Sequence, residues 1–158
     1  MVDIKRCTTD SDFALAMQIT KDYIDWLDMD LSFQNIEMEF TNFSSMYGPP
    51  KGVFILAWHG GDLAGGVGLR RFEANICEMK RLFVYDPFKR QGIGRRLCTA
   101  LIQKAVKLGY ASMRLDTLGR MQAAIKLYES LGFKEIEPYR LNPDSTAKYM
   151  ELSLQQPH

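Results

Sequence analysis

Gly92 and Gly94 stand at the junction between an apolar run and an amphipathic one, within Arg90-Gln91-Gly92-Ile93-Gly94-Arg95-Arg96. A junction of this kind constrains the chain to a strand that turns into a helix. Glycine lets the backbone bend tightly there and approach a ligand closely. The first amides of the helix have no partner within it, and the helix dipole adds positive potential at the same end. Arg90, Arg95 and Arg96 supply full charges around those donors, so the loop reads as an anion site suited to a pyrophosphate. Two better-known phosphate loops fit worse. No Lys-Ser or Lys-Thr follows the glycines as a Walker loop requires, and a dinucleotide fingerprint would need glycine where Leu97 stands. An ordinary turn carrying surface arginines stays open as an alternative at this point.

The rest of the chain reads as a mixed α/β succession. Val2–Arg6 alternates as a first strand. Thr9 and Asp12 form a capping-box pattern before a helix whose apolar positions are Phe13, Met17, Ile19, Tyr23 and Leu27. A second helix is predicted over residues 34–46, stopped by Gly48-Pro49-Pro50. Residues 53–58 and 63–72 form a hairpin around His59-Gly60-Gly61-Asp62, and a strand over 76–85 precedes the glycine loop. A helix over 92–107 ends at Gly109, a strand covers 111–118, and a helix over 121–131 is closed by Gly132. Strands over 133–138 and 147–154 complete the order β-α-α-β-β-β-α-β-α-β-β, with no linker or repeat to divide residues 1–158 into more than one domain.

Composition excludes several other classes. The 158 residues suit one domain, and no apolar run is long enough to span a bilayer. Cys7, Cys77 and Cys98 make an odd number without C-x-x-C spacing, which disfavours both disulfides and zinc and fits a cytoplasmic chain. The histidines are His59 and His158, too few for a metal cluster, and His59 reads as a turn residue. A net charge of +1 gives no reason to expect nucleic acid. Charge is nonetheless unevenly spread. Lys80, Arg81, Lys89, Arg90, Arg95, Arg96, Lys104 and Lys107 face the single acid Asp86, whereas Asp22, Asp25, Asp28, Asp30, Glu37 and Glu39 cluster near the N-terminus.

Glu78-Met79-Lys80-Arg81-Leu82-Phe83-Val84, followed by Arg90-Gln91-Gly92-Ile93-Gly94-Arg95, resembles the core of the GNAT superfamily of N-acetyltransferases. Downstream, Leu115-Asp116-Thr117-Leu118 and then Ala123-Ala124-Ile125-Lys126-Leu127-Tyr128-Glu129-Ser130-Leu131-Gly132-Phe133 resemble the strand-helix segment of that family ending in L-Y-x-x-x-G-F. The resemblance covers nearly the whole chain and is of the small, bacterial, single-domain type. It implies an acyl-CoA N-acyltransferase fold, a mixed six- to seven-stranded sheet splayed in the middle with helices on both faces. It also implies that acetyl-CoA lies in the splay. The pantetheine would run along the backbone of Leu82, Phe83 and Val84 as an added strand, and the pyrophosphate would sit on Arg90, Gln91, Gly92, Ile93, Gly94, Arg95 and Arg96. No metal is expected.

The reaction so implied is direct attack of a primary amine on the thioester, with both substrates bound together. An alkyl ammonium has a pKa of about 10, so a positioned base helps. Glu78 lies six residues before Val84, where family members with a strand glutamate base carry it; Glu73 and Asp116 are lesser candidates, and an ion-paired Glu78 is the competing reading. Tyr128 falls on the apolar stripe Met121, Ala124, Ile125, Tyr128, Leu131, and the resemblance makes its hydroxyl the acid for the departing sulfur. A thiol at about 8.5 and a phenol at about 10 make that transfer feasible without large tuning. The resemblance also places an amide near Val84 against the developing oxyanion. Cys77 and Cys98 lack a histidine partner and read as packed residues.

The N-terminal helices cover the acceptor side in this family. Trp26, Met29, Phe33, Met38, Phe40 and Tyr47, together with the six acids, suggest an opening for a cationic amine. A homodimer is a family habit. The alternative from another class is a non-catalytic acyl-CoA sensor that binds a partner protein on the same fold.

Overall fold

The computed structural model describes residues 1–29 and 35–154. Asp30, Phe33, His158 and the first residue of the predicted second helix lie outside them. Seven strands form one sheet in the order β1-β2-β3-β4-β5-β7-β6. They are β1 (Val2–Arg6), β2 (Val53–His59), β3 (Asp62–Glu73), β4 (Ile76–Val84), β5 (Ser112–Thr117), β6 (Lys134–Ile136) and β7 (Lys148–Ser153). The helices are α1 (Asp10–Leu27), α2 (Ile36–Thr41), α3 (Phe43–Met46), α4 (Ile93–Lys107) and α5 (Gln122–Ser130).

The all-apolar pattern of β2 follows from burial on both faces. Val53, Ile55 and Ala57 join the core beneath α4 and α5, which includes Leu97, Leu101 and Tyr128. The alternate residues Phe54 and Leu56 join the core beneath α1 and α3, with Ile19, Phe43 and Tyr47. Helix α1 begins as the sequence requires. Thr9 accepts from the Asp12 amide, and the Asp12 carboxylate accepts from the Thr9 amide at 3.1 Å.

Two expected elements differ in detail. The second helix is interrupted at Asn42, where the backbone leaves helical geometry (φ −113°, ψ 25°). There the Asn42 side chain and amide both donate to Met38 O, at 3.1 and 3.0 Å, and this local bonding competes with continuation of the helix. Strand β6 stops at Ile136, two residues before Pro138, which has no N–H to offer a ladder.

The departure from a regular sheet lies at its centre. β4 and β5 run parallel and pair only over Ile76, Cys77 and Glu78 against Ser112, Met113 and Arg114. On the other side of β4, Gly68 pairs with Lys80 and Gly66 with Phe83, so one extra residue is accommodated on β4. Arg81 takes up that bulge in the left-handed region, with φ 64°. Beyond the bulge, β4 keeps its β3 partner and leaves its other edge facing an opening between β4 and β5.

Candidate active site

The opening holds three adjoining hollows. The largest, of about 560 Å³, is lined by the expected residues Leu82, Phe83, Val84, Arg90, Gly92, Ile93 and Gly94. Gln91, Arg95 and Arg96 are exposed beside it without lining it, and Arg95 donates to Ser130 Oγ at 2.7 Å. Arg120 and Gln122, from the turn before α5 and its first residue, complete the wall. Sequence reasoning missed them because neither belongs to a local motif.

Two observations suit this hollow to an extended ligand that carries a phosphate at one end. Helix α4 starts after Gly92, which has φ 77°, a region L side chains rarely adopt, and no side chain caps its first amides. The free edge of β4 also presents a usable donor. The Tyr85 amide is spent on Ala64 O at 2.9 Å, so strand alternation turns the Val84 amide the other way, into the opening.

Tyr128, the last buried residue of α5, lines a smaller hollow of about 70 Å³ with Leu115, Asp116 and Met121. Leu82, Met121 and Ala124 belong to both this hollow and the large one, so the two share a wall, with Tyr128 on the side of the smaller. The Tyr128 hydroxyl makes no hydrogen bond among the described residues, and its ring packs edge-on to Phe133 at 5.8 Å. Burial pushes its phenol well above the ordinary value, so it carries its proton throughout the neutral range. That shift is larger than the modest tuning expected from the sequence.

Glu78 lines none of these hollows and is fully buried. Arg70 Nη2 lies 2.8 Å from its Oε1, Arg140 Nη2 2.7 Å from its Oε2, and Lys80 Nζ 3.8 Å from Oε1. Tyr139 also donates to Oε2 at 2.8 Å. Burial works to raise its pKa, but the cations of Lys80, Arg140 and Arg70 override that and bring it down to about 2. Of the lesser candidates, Glu73 is exposed at the far end of the β3–β4 hairpin, and Asp116 lines the Tyr128 hollow with Arg140 Nη1 at 3.5 Å.

The third hollow, of about 310 Å³, is lined by Asn35, Met38, Glu39, Arg70, Lys80 and Arg140, among others. Lys80 also lines the Tyr128 hollow, so the two are neighbours on either side of it. The N-terminal acids do not make this wall negative. Asp25, Asp28 and Glu37 are exposed, and Asp22 is held by the Tyr85 hydroxyl. Glu39 is the one that lines the hollow, and Arg81 neutralises it. The three cysteines are buried with thiols raised to about 12, chiefly by burial, which keeps them protonated. Among the described residues, no group of three His, Cys, Asp or Glu converges as a metal would need, and no helix is long and apolar enough to cross a membrane.

A splayed β4–β5 pair, a free strand edge and an uncapped glycine-led helix together define an acyl-CoA N-acyltransferase fold. The profile of the Acetyltransferase (GNAT) family matches residues 18–133, and the chain belongs to that family of N-acetyltransferases. An uncharacterized N-acetyltransferase of Schizosaccharomyces pombe is 41% identical over 146 residues, covering 90% of this chain and 87% of that protein. The N-acetylaspartate synthetase of Homo sapiens is 36% identical over 89 residues, 56% of this chain and 30% of that protein. A Salmonella typhimurium protein solved with its cofactor acetyl-CoA superposes with a TM-score of 0.71 at 17% identity, over 98% of this chain and 95% of that one.

Proposed function

We propose that the chain moves the acetyl group of acetyl-CoA to a primary amine by direct transfer, with Tyr128 as the acid. The observation that carries this reading is a pair of hollows that share Leu82, Met121 and Ala124, one lined by the β4 edge and the α4 N-terminus and the other by Tyr128. The family membership and the acetyl-CoA in the Salmonella typhimurium protein support it.

Bound acetyl-CoA supplies a thioester carbonyl and a thiol leaving group. The amides of Ile93 and Gly94, with Arg90, hold the pyrophosphate, and Leu82, Phe83 and Val84 align the pantetheine along β4. The Val84 amide faces the carbonyl oxygen as it gains charge. The acceptor ammonium loses one proton to water before attack. As the carbon–nitrogen bond forms and the carbon–sulfur bond breaks, Tyr128 Oη gives its proton to the sulfur. It then regains one from the nitrogen, which becomes the amide. Because burial holds the phenol high, donation to sulfur and recovery from nitrogen must be closely coupled; an isolated phenolate would cost about 1.4 kcal/mol per unit of mismatch.

We assign Glu78 to holding Arg70, Lys80 and Arg140 in place, and not to proton abstraction as the sequence suggested. It lines no hollow, and a carboxylate at about 2 has little basicity at neutral pH. The acceptor of the human relative, by its name, is an amine that carries carboxylates. Calorimetry with acetyl-CoA, followed by thiol release on adding amines, tests the reading. Binding with no thiol released by any amine would leave a non-catalytic acyl-CoA sensor in its place.

A further inference from the structure

We propose that the amine acceptor also bears a carboxylate, which sits in the hollow between β3, β4 and the β6–β7 connection against the guanidinium groups of Arg70 and Arg140. The inference rests on the acetyl-transfer reading of the same opening and adds the class of acceptor.

The hollow is built for an anion. Arg70, from β3, and Arg140, from the segment after β6, both line it and share the counter-ion Glu78, with Asp116 a second partner of Arg140 at 3.5 Å. Among the described residues, the lining carries Arg70, Lys80 and Arg140, and its one carboxylate, Glu39, is held by Arg81. Arg140 Nη2 is bonded to Glu78, whereas Nη1 makes no hydrogen bond among the described residues and only a long ion pair with Asp116 at 3.5 Å. Both guanidinium side chains stay partly exposed where they line the hollow, so a substrate carboxylate can meet them as a charge-assisted pair. Burial keeps the hollow drier than the surface, so such a pair is screened less than an exposed one.

The rest of the opening suits the other end of the same molecule. Asp116, paired with Arg140 Nη1 at 3.5 Å, lies in the adjoining Tyr128 hollow and makes that wall less positive than the cation-lined one. Cation-lined and carboxylate-bearing walls therefore lie next to each other, joined at Lys80. A small amino acid presents the same pair of charges. A polyamine would put a second cation against Arg70 and Arg140.

The test compares matched acceptors with the wild-type protein and acetyl-CoA, reading thiol release. Glycine, aspartate and glutamate are set against the corresponding amides, in which the carboxylates are carboxamides, and against spermidine. At least about a tenfold higher kcat/KM for the carboxylates is expected, the size of a lost charged hydrogen bond. Arg140→Gln should bring that preference to within about threefold while leaving the KM for acetyl-CoA unchanged. Faster transfer to the amides or to spermidine would overturn the anionic acceptor and leave acetyl transfer standing. Silence with every amine, despite acetyl-CoA binding, would remove both readings.

Discussion

Arg81 and Glu39, 42 residues apart in the chain, meet as a buried two-pronged ion pair. Arg81 Nη2 lies 2.6 Å from Glu39 Oε1 and Nε 3.1 Å from Oε2, and Tyr47 donates to Oε2 at 2.8 Å. Arg81 is also the residue with φ 64° at the β4 bulge. The pair therefore ties α2 and α3 to the point where the sheet opens, and fixes one wall of the acceptor hollow. Gly68 on β3 lets this happen: a Cβ there would lie 2.6 Å from the Tyr47 ring.

Removing one partner should be costly. Glu39→Gln leaves a buried guanidinium without its counter-ion, a change that destabilises by about 3–5 kcal/mol. Urea unfolding of the two proteins measures it. A loss below about 1 kcal/mol would mean that the pair is loosely solvated and does not anchor α2.

Tyr128→Phe isolates the proposed acid. The hydroxyl makes no internal hydrogen bond among the described residues, so packing against Phe133 is retained and stability should change little. Turnover is expected to fall by about 10²–10⁴, the usual share of a positioned acid, with the acetyl-CoA dissociation constant within about twofold. Equal turnover in single-turnover mixing would take Tyr128 out of the reaction.

Glu78 decides between an acid–base role and an anchoring one. Its folded pKa lies below the ordinary carboxylate value, so its contribution to stability is complete above about pH 4.5 and is lost as pH falls toward about 2. The shift corresponds to something on the order of 3 kcal/mol. Glu78→Gln should flatten the stability–pH curve in that window and lower stability at neutral pH. It should also raise the KM for the acceptor. A rate lost at neutral pH and recovered at high pH would restore the general-base role and count against the anchoring one.

The glycine-led start of α4 and the Tyr128 stripe were legible because each is local. Gly92, the run from Leu82 to Val84 and the apolar spacing of Tyr128 carry their meaning within a few residues of sequence. The strand order followed from the same periodicities. The acceptor wall was not legible, because its contacts span the chain: Arg140 reaches Glu78, and Arg81 reaches Glu39. The acidic cluster near the N-terminus misled because sequence cannot tell an exposed Asp25 from a buried, neutralised Glu39. One signal was available. Counting back from the β3–β4 turn sets an arginine opposite Glu78 (Arg71 by plain alternation, Arg70 once the irregularity at Phe72 shifts the register), and that opposite-charge neighbour already pointed away from a free base.

Lys80 gives the acceptor hollow a pH response that can be read without chemistry. Burial, with the neighbouring charges of Arg81 and Arg140, lowers its pKa to about 8, while Glu78 and Asp116 act in the opposite sense. The ammonium is therefore present below about pH 8 and fades above it, whereas Arg140, whose pKa the Glu78 and Asp116 carboxylates raise against its burial, stays charged. Succinate carries two carboxylates and no amine, and both are ionised throughout this range. It should inhibit competitively against the acceptor, with an inhibition constant that rises as pH passes about 8 and an acetyl-CoA dissociation constant that does not. Lys80→Met should weaken succinate at neutral pH and abolish the rise. Inhibition that is uniform from pH 6.5 to 9.5 (roughly the span over which a group at about 8 titrates) would separate Lys80 from the anion site.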